Sequence, residues 1–322
     1  MRQWKLPGTD LYLSSIVMGT GNFKAQTEAE ALRQIDHFAE LDGNILDTAA
    51  MYGKVTDNDP NIAEQIIGRW LKQSSQASSM LISTKGGFPT FEDPSDSRLT
   101  GSELTIDLEN SLQALGRETI DFYYLHRDDR SIPVAELLGL LDTFRQQGKI
   151  RYYGLSNWRT DRIAQAIALT KDQPNKGLLA IQNRWSLVRY NDCAASDPSV
   201  VAMDLAAWEL FSREQLAVMP YSSLGKGYFS KYLQNTSEIN EKLQRYYEND
   251  LNKRRAAALK HLHKETGYSI SQLVLAWLMH QPMPVFPVVA FSRTEQLHDA
   301  VEAAGINLSK NQIEQLSAGE NW

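Results

Sequence analysis

Cysteine is almost missing from this 322-residue chain: Cys193 stands alone. No disulfide can form within the chain, and a reducing compartment, the cytoplasm, is the expected setting. Long apolar runs are missing too. The N-terminal MRQWKLPGTDLYLSSIVMGTG holds no uninterrupted stretch of signal-peptide length, and nothing further on is long enough to span a bilayer. Positive charge is in deficit, with a formal net charge of −6, which argues against a surface that coats nucleic acid. A third glycine is missing where a dinucleotide fingerprint would need it: Gly19 and Gly21 follow the first apolar run, but Lys24 occupies the third position. A phosphate-cradling loop of the open-sheet kind is thereby excluded, and Gly19-Thr20-Gly21 reads as a turn. No metal-ligand set is present either. His261 and His263 are two apart in a charged helical stretch, so they face different sides, and both read as solvated. The short basic run Lys253, Arg254, Arg255 has no aromatic platform and reads as a solvated helix face.

What the chain does have is repetition. Apolar runs of strand length recur as SIVMGT (15–20), NILDTA (44–49), MLISTK (80–85), IDFYYLH (120–126), IRYYGLS (150–156), LLAIQN (178–183), LAVMPYS (216–222) and VFPVVA (285–290). Amphipathic stretches at helical spacing lie between them, including EAEALRQIDHFAELDG, NIAEQIIGRWLK, ELTIDLENSLQALG, PVAELLGLLDTFRQQGK and DRIAQAIALTK. The runs are continuously apolar rather than alternating, as in parallel strands covered on their faces. Eight strand-helix units without a break in composition predict one α/β domain over 1–322, a closed eight-stranded parallel (β/α)8 TIM barrel. QWKLPGTDLYLS predicts a hairpin ahead of the barrel, residues 227–268 a longer polar insertion of loop and helix, and SKNQIEQLSAGENW a closing C-terminal helix.

Chemistry collects at the ends of these runs. Asp47, Lys85 and His126 close the second, third and fourth, and Tyr52 follows in the loop after Asp47. In a parallel barrel those ends face one mouth. Taken singly, each has an ordinary reading: a turn or cap aspartate, a solvated lysine, a satisfied histidine, a wall tyrosine. Taken together they suit proton donation to a carbonyl oxygen while hydride reaches its carbon. A phenol's pKa of about 10 is high for an acid near neutrality, and a nearby ammonium such as Lys85 lowers it. Asp47 would keep Lys85 charged, and neutral His126 would orient the carbonyl toward Tyr52.

These segments, from GTDLYLSSIVMGTG through ILDTAAMYG, STK, DFYYLHRDD, GKIRYYGLSN, IQNRWS and PYSSLGKG to LAWLMHQPMPVFPVV, resemble the aldo-keto reductases in family order over essentially the whole chain. The resemblance implies an NADPH-dependent carbonyl reductase, with NADH possible, in which Asp47, Tyr52, Lys85 and His126 are catalytic and Tyr52 is the acid. It places Gly19, Thr20, Asp47, Ser156, Asn157, Gln182, Tyr221, Ser222, Ser223, Leu224, Gly225 and Lys226 on the cofactor. Tyr221 would stack on the nicotinamide, and the serine-glycine loop would follow the pyrophosphate. At the 2′-phosphate the chain departs from the family: Ala290 and Phe291 replace a Gly-Ser or Gly-Thr pair, leaving Ser292, Arg293 and Gln296 as the implied contacts.

Phe23, Trp158, Trp185 and Arg189 are candidate substrate-lining residues, with Trp158 and Trp185 reading equally as packing residues on the barrel rim, and the Phe88–Asp96 loop and the 227–250 stretch are a candidate lid. The expected partner is a small carbonyl compound or sugar, with no nucleic acid and no membrane, for a monomer or small homo-oligomer. The same resemblance also covers NADPH-binding regulatory subunits of the potassium channel β type, and sugar or polyol dehydrogenases working in the oxidative direction.

Overall fold

The computed structural model describes residues 1–93, 97–171, 177–191, 197–234 and 239–318; Cys193 lies outside them. The opening arms pair as an antiparallel hairpin, β1 (Gln3–Lys5) with β2 (Tyr12–Ser14). Gly8 takes a φ of +77° in the turn between them, a conformation that glycine adopts without strain.

Each of the eight apolar runs then yields a parallel strand: β3 (Val17–Gly19), β4 (Ile45–Asp47), β5 (Leu81–Gly86), β6 (Ile120–Leu125), β7 (Ile150–Ser156), β8 (Leu178–Gln182), β9 (Ala217–Val218) and β10 (Val288–Val289). Their spatial order is β10-β3-β4-β5-β6-β7-β8-β9, so neighbours in the chain are neighbours in the sheet. The ring closes through the residues leading into β10. Val218 N–H donates to the Pro284 carbonyl at 2.8 Å, Phe286 N–H to Val218 at 2.8 Å, and Val288 N–H to Pro220 at 2.9 Å.

Helices cover the outside: α1 (Glu28–Glu40), α2 (Ile62–Gln73), α3 (Gly101–Leu115), α4 (Val134–Gln146), α5 (Thr160–Thr170), α6 (Leu205–Glu214), α7 (Tyr228–Leu233), α8 (Glu241–Tyr247), α9 (Asp250–Thr266), α10 (Ile270–Met279), α11 (Thr294–Ala303) and α12 (Lys310–Ser317). Stops and starts follow the side chains. A reciprocal capping box from Thr100 and Glu103 opens α3, and left-handed Gly116 ends it. The long insertion becomes α7, α8 and α9. One expectation there is corrected: Arg255 is buried, not solvated, and its guanidinium donates to the carbonyls of Leu187 and Ser317. It shares a helix face with Leu251, Leu259 and Leu262, so the inward stripe of α9 carries a cation satisfied by backbone oxygens.

Strand side chains alternate, so residues two apart share a face. The inward rows of the barrel begin with apolar residues at the bottom, where Val17, Ile45, Phe122, Tyr124, Ala180, Ala217, Phe286 and Val288 pack on Leu6, Leu11 and Leu13 of the hairpin. Continue each row upward and it ends in chemistry: Ile45 leads to Asp47, Leu81 through Ser83 to Lys85, Phe122 and Tyr124 to His126, Ala180 to Gln182. The hairpin plugs one end of the barrel, and the polar ends gather at the other.

Candidate active site

Asp47 and Lys85 form a buried ion pair, Nζ to Oδ2 at 2.7 Å. Such a pair is stable only when the remaining polar atoms are also satisfied. Ser83 Oγ and Gln182 Nε2 each donate to Asp47 Oδ1 at 2.8 Å, and Lys85 Nζ donates to the Thr48 carbonyl at 2.7 Å. Burial works against the charge of Lys85, but Asp47 and then Tyr52 outweigh it, and its pKa rises above the ordinary lysine value.

Tyr52 stands over this pair, with Lys85 Nζ 5.0 Å from its ring centre and the His126 ring 6.0 Å away, edge to face. Its loop is fixed by the Ala63 N–H, which donates to the Tyr52 carbonyl, and by Gly53 at φ +82°, packed against Ile62. Burial is the largest influence on the phenol and raises its pKa; Lys85 pulls the other way, as expected, without overcoming it. The proton therefore stays on Tyr52 across the neutral range. His126 is shifted well below its ordinary value by burial first, then by the charges of Arg127 and Lys85, and is neutral. Its Nδ1 is buried without a partner. A phenol that keeps its proton, a neutral imidazole beside it and an ammonium beneath make a compact donor set for one incoming oxygen.

Alongside lies a shelf of amides and hydroxyls. Ser156 Oγ donates to the Gln182 carbonyl at 2.8 Å, and Asn157 Nδ2 to Ser156 Oγ at 3.0 Å and the His126 carbonyl at 3.2 Å. Asn157, held at φ +61°, accepts on Oδ1 from Tyr221 at 2.6 Å and from the Val201 N–H at 3.2 Å. Thr20 N–H and Oγ1 both reach the Asp47 carbonyl, and Gly19 allows close packing, since a Cβ there would stand 2.9 Å from Val288 Cγ1. The loop after Tyr221 turns through left-handed Ser222, Gly225, Lys226 and Gly227, with Leu224 between them. Backbone of this kind directs N–H groups to one side and suits an anion. Ser223 is turned inward, bonded to the Pro220 and Val288 carbonyls. At the start of α11, exposed Arg293 is the N-cap residue, and Ser292 donates through N–H and hydroxyl to Gln296 Oε1. Phe291 buries its ring in the core, and Asn22 donates to its carbonyl. This donor set fits a nicotinamide dinucleotide: carboxamide partners at one end, a turn suited to phosphate and an exposed arginine beyond it.

Of the expected substrate wall, Phe23, Trp158 and Trp185 are buried. Trp158 donates to the Arg127 carbonyl at 3.2 Å beneath the Arg162 guanidinium, and Trp185 packs edge-on against Trp277 at 5.8 Å. The Arg189 segment is tied to α9, its N–H donating to Asn252 and its carbonyl accepting from Asn249 and Asn252. An aromatic beyond a strand end reads as wall or as core with equal ease, and only packing decides. Of the lid segments, residues 94–96 and 235–238 lie outside the described residues. Phe88 does reach the site, 4.9 Å from the His126 ring.

Other contributors carried less signal in the sequence. Ser83 could have been found from its place two residues before Lys85 on the same strand face. Arg127, directly after His126, had no periodic signal. Its guanidinium is fixed by Asp197 at 3.1 Å, Ser199 at 2.7 Å and the His126 carbonyl at 2.9 Å, and it lies over the Phe88 ring. Among the described residues no group of three or more His, Cys, Asp or Glu could hold a metal ion, and no helix is long and apolar enough to cross a membrane.

An eight-stranded parallel barrel with this polar mouth belongs to a known class: the chain matches the Aldo/keto reductase family over residues 15–320 and is a member of it. It is an oxidoreductase of that family. Among its relatives are the Bacillus subtilis protein named "Uncharacterized oxidoreductase YrpG", 26% identical over 315 residues, 96% of this chain and 93% of that one. "Probable aldo-keto reductase 1" of Glycine max is 29% identical over 84% of this chain and 73% of its own, and "Aldo-keto reductase yakc [NADP(+)]" of Schizosaccharomyces pombe is 25% identical over 88% and 80%. The crystal structure of the thermostable aldo-keto reductase Tm1743 shares the fold, with a TM-score of 0.74 at 22% identity over 99% of both chains.

Proposed function

We propose that the protein reduces an aldehyde or ketone to the alcohol with NADPH, and that Tyr52 is the general acid. The observation that carries this reading is the buried Asp47–Lys85 pair beneath protonated Tyr52 and neutral His126. The cofactor, when bound, supplies the hydride. The chain's own residues do the rest. Asp47, fixed by Ser83 and Gln182, keeps Lys85 charged. Lys85 stabilises the phenolate left when Tyr52 releases its proton, an effect that grows as negative charge develops on the phenol oxygen. His126 has no proton to lose as an imidazolium and acts as a neutral hydrogen-bond donor that orients the carbonyl oxygen. Ser156, Asn157 and Gln182 would hold the carboxamide, Tyr221 the ring, the 222–227 loop the diphosphate, and Ser292, Arg293 and Gln296 the 2′-phosphate that distinguishes NADPH from NADH.

The NADP(+) in the name of the fission-yeast relative supports the same preference. The test is turnover by the purified protein on a panel of aldehydes and ketones with each cofactor. Oxidation of NADPH dependent on a carbonyl compound, with a higher kcat/KM than for NADH, is expected. Tight NADPH binding with no turnover on any carbonyl would replace this reading with a cofactor-sensing role.

A further inference from the structure

Several cations of the barrel mouth are matched by acids. Lys85 pairs with Asp47 at 2.7 Å, Arg127 with Asp197 at 3.1 Å, and Arg162 with Asp128 at 2.8 Å. Arg184, half-buried two residues beyond Gln182 on the same inward row, has no acidic partner among the described residues. Its backbone is well fixed, bridged to Ala202 and Tyr221, with its N–H bonded to the Val201 carbonyl and its own carbonyl accepting from Met203. The guanidinium lies 4.0 Å from the centre of the Tyr190 ring. Contact with the ring face itself uses none of its N–H donors, and the guanidinium also hydrogen-bonds the Tyr221 hydroxyl.

Arg184 also sits beside Tyr221, to which its backbone is bridged. It acts electrostatically on Tyr221, as do Arg127 and Tyr52, and the Tyr221 hydroxyl is bonded to Asn157. The turn suited to the cofactor's diphosphate adjoins the same aromatic cluster: the Lys226 ammonium faces Tyr246 at 5.6 Å, and the Tyr246 ring lies 5.4 Å from that of Tyr190. A fixed, half-desolvated guanidinium without a counter-ion is an unfavourable arrangement that an incoming oxyanion relieves, and its planar fork matches a carboxylate or phosphate.

We propose that Arg184 is the anchor for an anionic substrate group: the carbonyl compound reduced at Tyr52 carries a carboxylate or phosphate that docks on the Arg184 guanidinium. The assignment of a substrate class rests on the carbonyl-reduction reading above. The same oxyanion chemistry could come from the cofactor's diphosphate, and the measurements are chosen to separate the two.

Wild type, Arg184→Met and Arg184→Lys are compared on 4-carboxybenzaldehyde against 4-methylbenzaldehyde, and on glyceraldehyde 3-phosphate against glyceraldehyde. NADPH affinity is followed by fluorescence, and benzoate and benzamide are titrated calorimetrically into each protein saturated with NADP+. Wild type should favour the charged aldehyde of at least one pair by about tenfold or more in kcat/KM. Arg184→Met should lose that preference through KM, with the neutral partners and NADPH affinity changed by less than about twofold; Arg184→Lys should recover part of it. Benzoate binding should weaken about tenfold in Arg184→Met while benzamide binding stays level. Equal losses on charged and neutral aldehydes would overturn the proposal, and so would NADPH binding weakened by the same factor, which would assign Arg184 to the diphosphate. If wild type reduces none of the four aldehydes, it is the reductase reading that fails. The anchor then stands or falls on benzoate binding, which must depend on Arg184.

Discussion

Tyr52 and His126 owe their chemistry to opposite consequences of the same burial. Desolvation raises a phenol's pKa because the charged form is the deprotonated one, and lowers an imidazole's because the charged form is the protonated one. Both groups are thereby held neutral, with the Tyr52 proton available and His126 uncharged. The expected pH profile follows: kcat for reduction should be flat from about pH 6.5 to about pH 10, the unperturbed values of the two groups, and change only outside that range. Stability carries a second signature. The folded pKa of His126 is depressed below its unfolded value, so the unfolded chain binds the proton more readily. The stability this group contributes is present above the unfolded value and is lost as pH falls below about 6.5. Urea midpoints measured between pH 7.5 and 5 should fall more in wild type than in His126→Gln. Parallel curves would show that His126 is not held neutral by the fold.

At the scale of elements, the N-terminal hairpin and the mouth divide the barrel between them. Leu13 is fully buried against the bottom of the barrel, and the site is assembled at the far end of the same inward rows. Leu13→Ala should cost about 2–5 kcal/mol in urea denaturation. It should leave kcat nearly unchanged, whereas a fall in kcat at unchanged stability would mean that the plug and the site are not separate. Strand identity was legible from apolar runs of the right length, and so was the row of end residues Asp47, Lys85 and His126. Strand length was less so. LAVMPYS and VFPVVA give only the two-residue strands β9 and β10, because Pro220, Pro284 and Pro287 lie in or next to them and lack N–H donors. These prolines still accept, from Val288, Val218 and Val17, and the ring closes through those carbonyls. The role of Arg255 was hidden for another reason: a basic triplet has the same composition whether its third member faces water or backbone carbonyls.

For the whole molecule, a continuous ring of parallel strands brings residues from 47 to 221 to one mouth, although no short segment holds more than two of them. That topology made the quartet readable from sequence once the strand count was established. The surroundings were not readable in the same way. Arg127 is secured by Asp197 and Ser199 from the loop after β8, some 70 residues away in the chain. Trp158 and Trp185 turn into the core through contacts that no local pattern encodes.

Carbonyl reduction as proposed depends most on the Tyr52 proton, and Tyr52→Phe removes it with little change in volume. Steady-state reduction of a responsive aldehyde, measured with NADPH affinity on the same preparation, gives the most direct answer. The predicted result is a loss of about 10²-fold or more in kcat with NADPH affinity within about twofold of wild type. A variant that keeps near wild-type kcat would contradict the assignment of Tyr52 as the acid.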